Sequence, residues 1–280
     1  MSAARCDVKL GVFAKTFPAV GALSTLEAVR RAGFEAAQFN MTCLGLPSMP
    51  DMIAPADAAS IATASAASGV AIAAVSGTYN MVHPDLAVRR KGLARLEILC
   101  AAAKAMGTDL ITLCTGTRDA GDQWRWHPDN ATPAAWRDLL EEMAKAVAIA
   151  ERHGLHLGVE PELANVVSSA AKARELLDAL PGGRIRIVLD PANLFETAGD
   201  AERRAIIARA VDLLGSDIGM AHAKDRDARG GFVAPGTGVI DFAHFVGRLR
   251  GVGFDGALVG HGFSADEAPG VARHLRAAIG

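Results

Sequence analysis

Short runs of β-type residues alternate along the chain with longer, Ala-rich amphipathic runs. The short runs predict strands and the longer runs predict helices, and their alternation is typical of parallel strands joined by crossover helices. The predicted strands are Lys9 to Phe13, Ala36 to Asn40, Val70 to Ser76, Leu110 to Thr115, Leu155 to Glu160, Ile185 to Asp190, Ile218 to His222 and Ala257 to His261. The predicted helices are Thr25 to Ala32, Ala54 to Ser68, Asp85 to Met106, Pro133 to His153, Ser168 to Leu180, Asp200 to Leu214, Asp241 to Arg250 and Ala265 to Ile279.

Eight strand–helix pairs indicate an α/β fold, a single (β/α)8 TIM barrel forming one domain over residues 1–280. A doubly wound sheet is the structural alternative. That fold usually has fewer strands and a Gly-rich phosphate-binding turn after the first, and the segment Phe13 to Thr16 is no such turn. Further signals mark helix ends: Ser24 and Asp241 are expected N-caps, and Gly33, Gly69, Gly107 and Gly154 follow predicted helices.

Composition and charge exclude several classes of protein. The chain is 50% hydrophobic and 21% charged, which excludes a disordered protein, and its net charge of −2 provides no positive field for nucleic acid or an anionic membrane. No cleavable apolar leader and no run of about 18 apolar residues is evident, so we expect a cytoplasmic protein without nucleic-acid or membrane partners. The four cysteines lack CxxC spacing and are expected to be buried free thiols: Cys6, Cys43, Cys100 and Cys114.

Candidate chemistry stands at the ends of four successive predicted strands. Glu160, Asp190, His222 and His261 each finish one strand. In a barrel these ends converge on the C-terminal face, and two carboxylates with two imidazoles suit a divalent ion such as Mn²⁺, Co²⁺ or Zn²⁺. Taken singly, each carboxylate has a structural explanation as a helix cap, and each histidine as a hydrogen-bonded core residue. The combination favours one shared metal site.

The period-two alternation of strands tests whether these four side chains share the barrel interior. Placing them inward takes a second set of residues with them, namely Gly158, Val188, Met220, Lys224, Ala257 and Val259. The alternation along each of the four strands therefore allows all four site residues to face the barrel interior at once. Three long loops, residues 41–55, 115–132 and 224–238, would lie on the same C-terminal face.

Other strand ends and loops supply candidate substrate-binding residues. The candidates are Asn40 and its strand neighbour Gln38, Tyr79, His83, Arg118, Trp124, Trp126, His127, Glu162 and Asn193. Indole faces could stack on a sugar ring, although an anchor for a packed loop is an equally simple role for a tryptophan. Glu162 and Asn193 could also orient metal ligands.

These segments resemble the sugar phosphate isomerase/epimerase superfamily of xylose-isomerase-like TIM barrels. The resemblance spans essentially the whole chain and is carried by VEPE with Glu160, VLDPAN with Asp190 and Asn193, HAKD with His222 and Lys224, and GTGVIDF before the seventh helix. It implies one divalent metal ion, commonly Mn²⁺, Mg²⁺, Co²⁺ or Zn²⁺, held by Glu160, Asp190, His222 and a group from the last strand. Members usually have Glu at that last position, which His261 occupies here.

The resemblance implies a metal-dependent sugar isomerase or epimerase that abstracts a proton α to a carbonyl and proceeds through an enediolate. Glu160 is then the expected base, Lys224 neutralises the developing oxyanion, and His261 is the fourth ligand or a proton donor. Because the second carboxylate base is missing, a dehydratase or lyase acting on a keto sugar is an alternative, and a barrel that binds sugar without catalysis is another. The endonuclease IV branch is disfavoured, since it uses many more His and acidic ligands. Association of barrels into a homo-oligomer is also implied, with a sugar or polyol as the small-molecule partner.

Overall fold

The computed structural model describes residues 8–18 and 20–280 of the chain. Its strands are β1 (Lys9–Phe13), β2 (Ala36–Phe39), β3 (Ala71–Ser76), β4 (Leu110–Cys114), β5 (His156–Glu160), β6 (Ile185–Leu189), β7 (Ile218–Ala223), β8 (Asp225–Arg226), β9 (Phe232–Val233) and β10 (Ala257–Gly260). β8 and β9 form an antiparallel hairpin, and the others close into a parallel barrel in which β10 pairs with β1. The predicted (β/α)8 barrel is confirmed.

Eight α-helices lie in this part of the chain and surround the barrel. They are α1 (Ala22–Arg31), α2 (Pro55–Ser68), α3 (Leu86–Ala103), α4 (Pro133–His153), α5 (Ala170–Ala179), α6 (Asp200–Leu214), α7 (Phe242–Gly251) and α8 (Ala268–Ile279). Asp241 caps α7 as expected, by accepting from the His244 amide at 2.9 Å. The glycines at positions 69, 107 and 154 occupy left-handed C-caps. None of the helices in the described ranges is long and apolar enough to cross a membrane.

The predicted start of α1 is wrong, and its cap explains why. α1 begins at Ala22 with Gly21 as N-cap, whereas the sequence indicated a start at Thr25 with Ser24 as N-cap. The Ser24 hydroxyl instead lies inside the first turn and donates back to the carbonyl oxygens of Val20 and Gly21, at 2.8 and 3.1 Å. A serine in the first turn and an N-cap serine give the same local pattern, so the sequence did not distinguish them.

The hairpin of β8 and β9 was not predicted, because two-residue strands are too short to show periodicity. A buried carboxylate holds it in place. Asp225 accepts backbone amides of Arg226 and Ile240 on Oδ1 and of Gly236 and Gly238 on Oδ2, at 2.8 to 3.0 Å. The loop after β7 is thereby fixed over the mouth of the barrel.

The alternation expected along the barrel strands is confirmed by the interior packing. Val188, Met220, Ala257 and Val259 belong to one small buried cluster inside the barrel, together with Ala36, Ala74 and Leu110. Gly158 points into the same space, where a Cβ atom would lie 2.8 Å from Val188 Cγ2. Glycine is therefore required at this position for the interior side chains to meet.

The cysteines within the described ranges behave as predicted. Cys43, Cys100 and Cys114 are buried and free. Burial raises the pKa of the Cys43 thiol to about 11 and of the Cys100 thiol to about 12. Cys6 lies outside the described residues.

Candidate metal centre

Four ionisable side chains meet at the carboxyl end of the barrel. Glu160 ends β5, Asp190 directly follows β6, His222 lies in β7 and His261 directly follows β10. One nitrogen or carboxylate oxygen from each lies within 4.8 Å of the others. His222 Nδ1 is 3.2 Å from Glu160 Oε1, and His261 Nε2 is 3.2 Å from Asp190 Oδ2. The fold thus brings together the four residues for which the sequence predicts a shared site.

A buried amide fixes the orientation of His222. Gln38 in β2 donates from Nε2 to the hydroxyl oxygens of Ser76 and Thr112, at 3.0 and 2.9 Å, so its carbonyl oxygen faces His222. His222 Nε2 donates to that oxygen at 2.7 Å. Nδ1 is therefore the nitrogen available to a proton or a metal ion.

The residues present fit a divalent metal ion. His222 Nδ1 is buried and has no hydrogen-bond partner within the described part of the chain, although Glu160 Oε1 lies close by. Buried nitrogen atoms rarely remain without a partner, and a cation held by both atoms would satisfy them. Two carboxylates and two imidazoles are also a ligand set suited to Mn²⁺, Co²⁺ or Zn²⁺.

A second network joins Glu160 to a lysine. Asn193 is fully buried and donates from Nδ2 to Glu160 Oε1 at 2.8 Å, while its Oδ1 accepts from Lys224 Nζ at 2.9 Å. Lys224 Nζ also lies 3.7 Å from Asp190 Oδ2 and 3.7 Å from Glu162 Oε2. One asparagine therefore sets the positions of the carboxylate and the ammonium group together.

Neighbouring charges determine which groups are ionised. Burial raises the pKa of the Glu160 carboxyl, but His222, Lys224 and His261 together lower it to about 2. Burial also opposes ionisation of Asp190, yet the Lys224 charge and the hydrogen bond from His261 hold its pKa below the usual range. Burial would lower the pKa of Lys224, but the surrounding carboxylates raise it. Burial and the nearby His222 lower the pKa of His261, so at neutral pH the site holds ionised carboxylates, an ammonium group and a neutral His261 imidazole.

A cavity of about 540 Å³ opens above these groups, and four predicted substrate-binding residues line it: Gln38, Asn40, Trp124 and Glu162. Asn40 donates to the Ser48 hydroxyl at 3.0 Å and accepts from the Thr42 amide at 3.0 Å. Glu162 also lines the cavity, and burial raises its pKa. Asn193, also predicted, makes the hydrogen bonds to Glu160 and Lys224 described above.

Two further predicted residues lie away from the cavity lining, with partners of their own. The Tyr79 hydroxyl donates to Glu142 Oε1 at 3.1 Å, and its ring packs on α3 so closely that a Cβ atom on Gly92 would lie 2.1 Å from Tyr79 Cδ2. Arg118 pairs with Asp138 Oδ2 at 2.6 Å. These side chains tie helices and loops together, and their expected role in sugar binding stays a prediction.

The remaining three candidates also lie outside the lining. His83 Nε2 is 3.2 Å from the Ala120 carbonyl oxygen, which connects two loops. His127 Nδ1 accepts from the Asp129 amide at 3.2 Å as the cap of a short 3₁₀ helix. Trp126 is 58% exposed on the same loop. Their predicted contacts with substrate are likewise untested.

Several lining residues were not selected from the sequence. Phe13, Lys15, Cys114 and Phe232 line the cavity beside Trp124. Alternation along β4 would have found Cys114, because it follows the inward-facing Leu110 and Thr112 at intervals of two. Phe232 lies in the unpredicted hairpin, so no periodicity pointed to it.

Comparison with solved structures finds the same barrel in several enzymes of low sequence identity. L-ribulose 3-epimerase matches with a TM-score of 0.74 and 21% identity, covering 97% of this chain and 93% of that one. A 3-keto-D-glucoside 4-epimerase from E. coli matches with a TM-score of 0.76 and 17% identity, covering 97% and 100%. A protein from Bacillus anthracis described as a probable 3-DHS dehydratase matches with a TM-score of 0.75 and 13% identity, covering 98% and 99%. At these identities the matches show a shared fold.

No curated protein matches the chain significantly. A family model does match, and it spans residues 26–278, nearly the whole barrel. This extent, in agreement with the closed parallel barrel, shows that the chain belongs to the xylose isomerase-like TIM barrel family.

Proposed function

We propose that the protein is a metal-dependent sugar isomerase or epimerase that removes a proton from the carbon next to a carbonyl group. The observation that carries this proposal is the cluster of Glu160, Asp190, His222 and His261, whose ligand atoms lie within 4.8 Å of one another beside Lys224. Removal of such a proton needs a base and a means of stabilising the oxyanion that develops. Glu160 would provide the base, and Lys224 with a bound ion would stabilise the oxyanion. The epimerases among the structural matches are consistent with this chemistry.

Glu160 is the proposed base. Its Oε1 is engaged by Asn193, whereas its Oε2 lies 4.0 Å from the Cys114 thiol, which burial keeps protonated. Oε2 is therefore the oxygen we assign to receive the proton. The low pKa of this carboxyl keeps it ionised at neutral pH, and the hydrogen bond from Asn193 fixes its orientation toward the cavity.

Lys224 is the proposed electrostatic partner of the enediolate. Its ammonium group is held by Asn193 and flanked by Asp190 and Glu162, and it lines the cavity. The raised pKa keeps it charged, so it can neutralise an oxygen of the substrate as negative charge develops there. A divalent ion held by the four ligands would supply Lewis-acid polarisation of the carbonyl.

One observation favours a second function, a keto-sugar dehydratase or lyase. His261 stands where a second carboxylate base would be needed for epimerisation, and its imidazole is neutral at neutral pH. Its Nε2 donates to Asp190, and its ring lies 4.6 Å from that of His222 in an edge-on arrangement. A single carboxylate base is enough for β-elimination, in which Glu160 would take the proton next to the carbonyl and return it to the departing hydroxyl, which leaves as water.

The test begins with metal content. Elemental analysis of wild type, His222→Ala and His261→Ala, prepared without chelator or affinity tag, should find about one divalent ion in wild type and none in His222→Ala. Loss in His261→Ala as well makes His261 the fourth ligand, and retention there frees it for proton transfer. A wild type that neither contains nor takes up Mn²⁺, Co²⁺, Zn²⁺ or Mg²⁺ contradicts the proposal and leaves a sugar-binding barrel.

Activity is tested by solvent exchange. In deuterated water a panel of ketoses and keto sugars should exchange the hydrogen next to the carbonyl, detected by nuclear magnetic resonance, and Glu160→Gln should abolish it. The matched control Glu202→Gln, on the exposed surface of α6, should exchange like wild type. Mass spectrometry separates the two functions, because isomerisation conserves mass and dehydration removes water. Absence of exchange with every sugar in the panel refutes both.

A further inference from the structure

The cavity changes character from its floor to its mouth. The floor holds polar groups that are nearly or fully buried: His222 is 1% exposed and Gln38 is 2% exposed. The mouth holds aromatic rings that remain largely in water, since Trp124 and Phe232 are each 53% exposed. Both regions line one continuous cavity of about 540 Å³. A ligand that fills it therefore meets hydrogen-bonding groups at one end and an aromatic wall at the other.

Phe232 is held in position by two cationic side chains. Arg226 Cζ lies 4.1 Å and Lys224 Nζ 4.6 Å from the centre of its ring. The guanidinium group is itself anchored, because it donates to the carbonyl oxygens of Ala192 and Gly230. The hairpin that carries the ring is fixed by Asp225. Because these contacts fix the ring while it is still exposed, a ligand can pack against it without first ordering the side chain.

Trp124 is positioned by a loop with its own internal bonds. Its amide donates to Asp122 Oδ1 at 2.9 Å, and Asp119 accepts the amides of Gly121 and Asp122 at 2.8 and 2.9 Å. Arg125 pairs with Asp119 at 3.3 Å. The indole is thus exposed on a loop with a defined backbone, and covering it would gain the hydrophobic contribution of a large aromatic surface.

A single free sugar occupying the floor would leave this aromatic wall in water. We propose that the substrate is a glycoside whose reacting ring carries a keto group: that ring lies at Glu160 and Lys224, and a group with an apolar face, joined through the glycosidic oxygen, packs against Trp124 and Phe232. The chemistry recognised at the wall is a flat apolar surface, which an aryl ring or the C–H face of a second pyranose both present. This inference rests on the proposed function for the orientation of the ligand, but binding at the wall can be measured without turnover.

The experiment is calorimetric titration of the metal-loaded protein with phenyl β-D-glucoside, methyl β-D-glucoside, cellobiose and glucose. We expect phenyl glucoside to bind at least tenfold more tightly than methyl glucoside, equivalent to about 1.4 kcal/mol. Trp124→Ala and Phe232→Ala should each reduce that ratio toward one while leaving the affinity for methyl glucoside within about twofold of wild type. That unchanged affinity also shows that the variants are folded. Cellobiose bound as tightly as phenyl glucoside would identify the apolar group as a second sugar.

The control is Leu86→Ala. Leu86 is an apolar side chain at the start of α3 that is 58% exposed and does not line the cavity, so this variant should keep the tenfold preference. Equal affinity of wild type for the phenyl and methyl glycosides, binding of neither, or loss of the preference in Leu86→Ala overturns the proposal. Failure of this proposal can be distinguished from failure of the proposed function. Hydrogen exchange on free ketoses without a preference for the phenyl glycoside refutes only the aromatic binding site. A preference for the phenyl glycoside without exchange on any sugar refutes only the proposed catalysis.

Discussion

Replacement of Gln38 by Leu tests whether the orientation of His222 controls metal binding. Gln38 is 2% exposed and makes three buried hydrogen bonds, one accepted from His222 at 2.7 Å and two donated to Ser76 and Thr112. Leucine has a similar size but provides no acceptor. The two hydroxyls can rotate to other partners, whereas the His222 Nε2–H group stays buried and unpaired.

The magnitude follows from these contacts. One unpaired buried N–H costs about 1–3 kcal/mol, and the weakened hydroxyl contacts add about 1 kcal/mol, so we expect the free energy of unfolding to fall by about 2–4 kcal/mol. Loss of the hydrogen bond that orients a histidine ligand typically weakens metal binding by about 10–100-fold, which is about 1.4–2.7 kcal/mol. Gln38→Leu should therefore lose both stability and metal affinity.

Two control variants separate these effects. Gln38→Glu keeps an acceptor for His222 and should bind metal within a few-fold of wild type. Thr112→Val removes one partner of the glutamine amide without touching the histidine, and it should lower stability by about 1 kcal/mol while leaving metal affinity unchanged. Metal affinity is measured by calorimetric titration of the metal-free protein, and stability by urea unfolding. If folded Gln38→Leu binds metal like wild type, the orientation of His222 does not depend on Gln38.

Two predictions concern the scaffold around Tyr79. Gly92→Ala would place a Cβ atom 2.1 Å from the Tyr79 ring and should lower the free energy of unfolding by several kcal/mol. The control Gly247→Ala lies in open space on α7 and should raise the free energy of unfolding by up to about 1 kcal/mol. Equal urea midpoints of the two variants would contradict this packing. Burial and the Glu142 carboxylate raise the pKa of Tyr79 well above its usual value of about 10. The folded protein then keeps a proton that the unfolded chain releases, so stability should fall above about pH 10 by about 1.4 kcal/mol per pH unit, and Tyr79→Phe should lack this contribution. Because Tyr79 is the one tyrosine in the sequence, phenolate absorbance should appear together with unfolding, and reversible ionisation of the folded protein near pH 10 would refute the assignment.

The fold could be predicted because its signals are local and repeated. Each barrel strand is a short apolar run of fixed alternation, and inward-facing Val188, Met220 and Val259 follow from placing the site residues inward. Errors occurred where one local pattern is compatible with two geometries. Ser24 has the features of an N-cap but bonds within the first turn of α1, and the two-residue strands of the hairpin are too short to leave a pattern.

Fewer of the loop candidates than of the strand-end candidates line the cavity, for a physical reason. A residue that ends a barrel strand is aimed at the mouth by the fold itself, so Glu160 and His222 reach the cavity. A loop residue points wherever its own contacts direct it. Tyr79 packs on α3, Arg118 pairs with Asp138, and neither lines the cavity, although both closely follow strands.

The functional state of each site residue depends on contacts that no local pattern contains. The nitrogen that His222 presents to the site is determined by Gln38, which lies 184 positions away along the chain. The positions of Glu160 and Lys224 are coupled through Asn193, which is 33 positions from one and 31 from the other. Sequence spacing can therefore show which groups converge at the end of a barrel. Which nitrogen of His222 faces the site and which oxygen of Glu160 is engaged by Asn193 follow only from the long-range contacts that close the barrel around them.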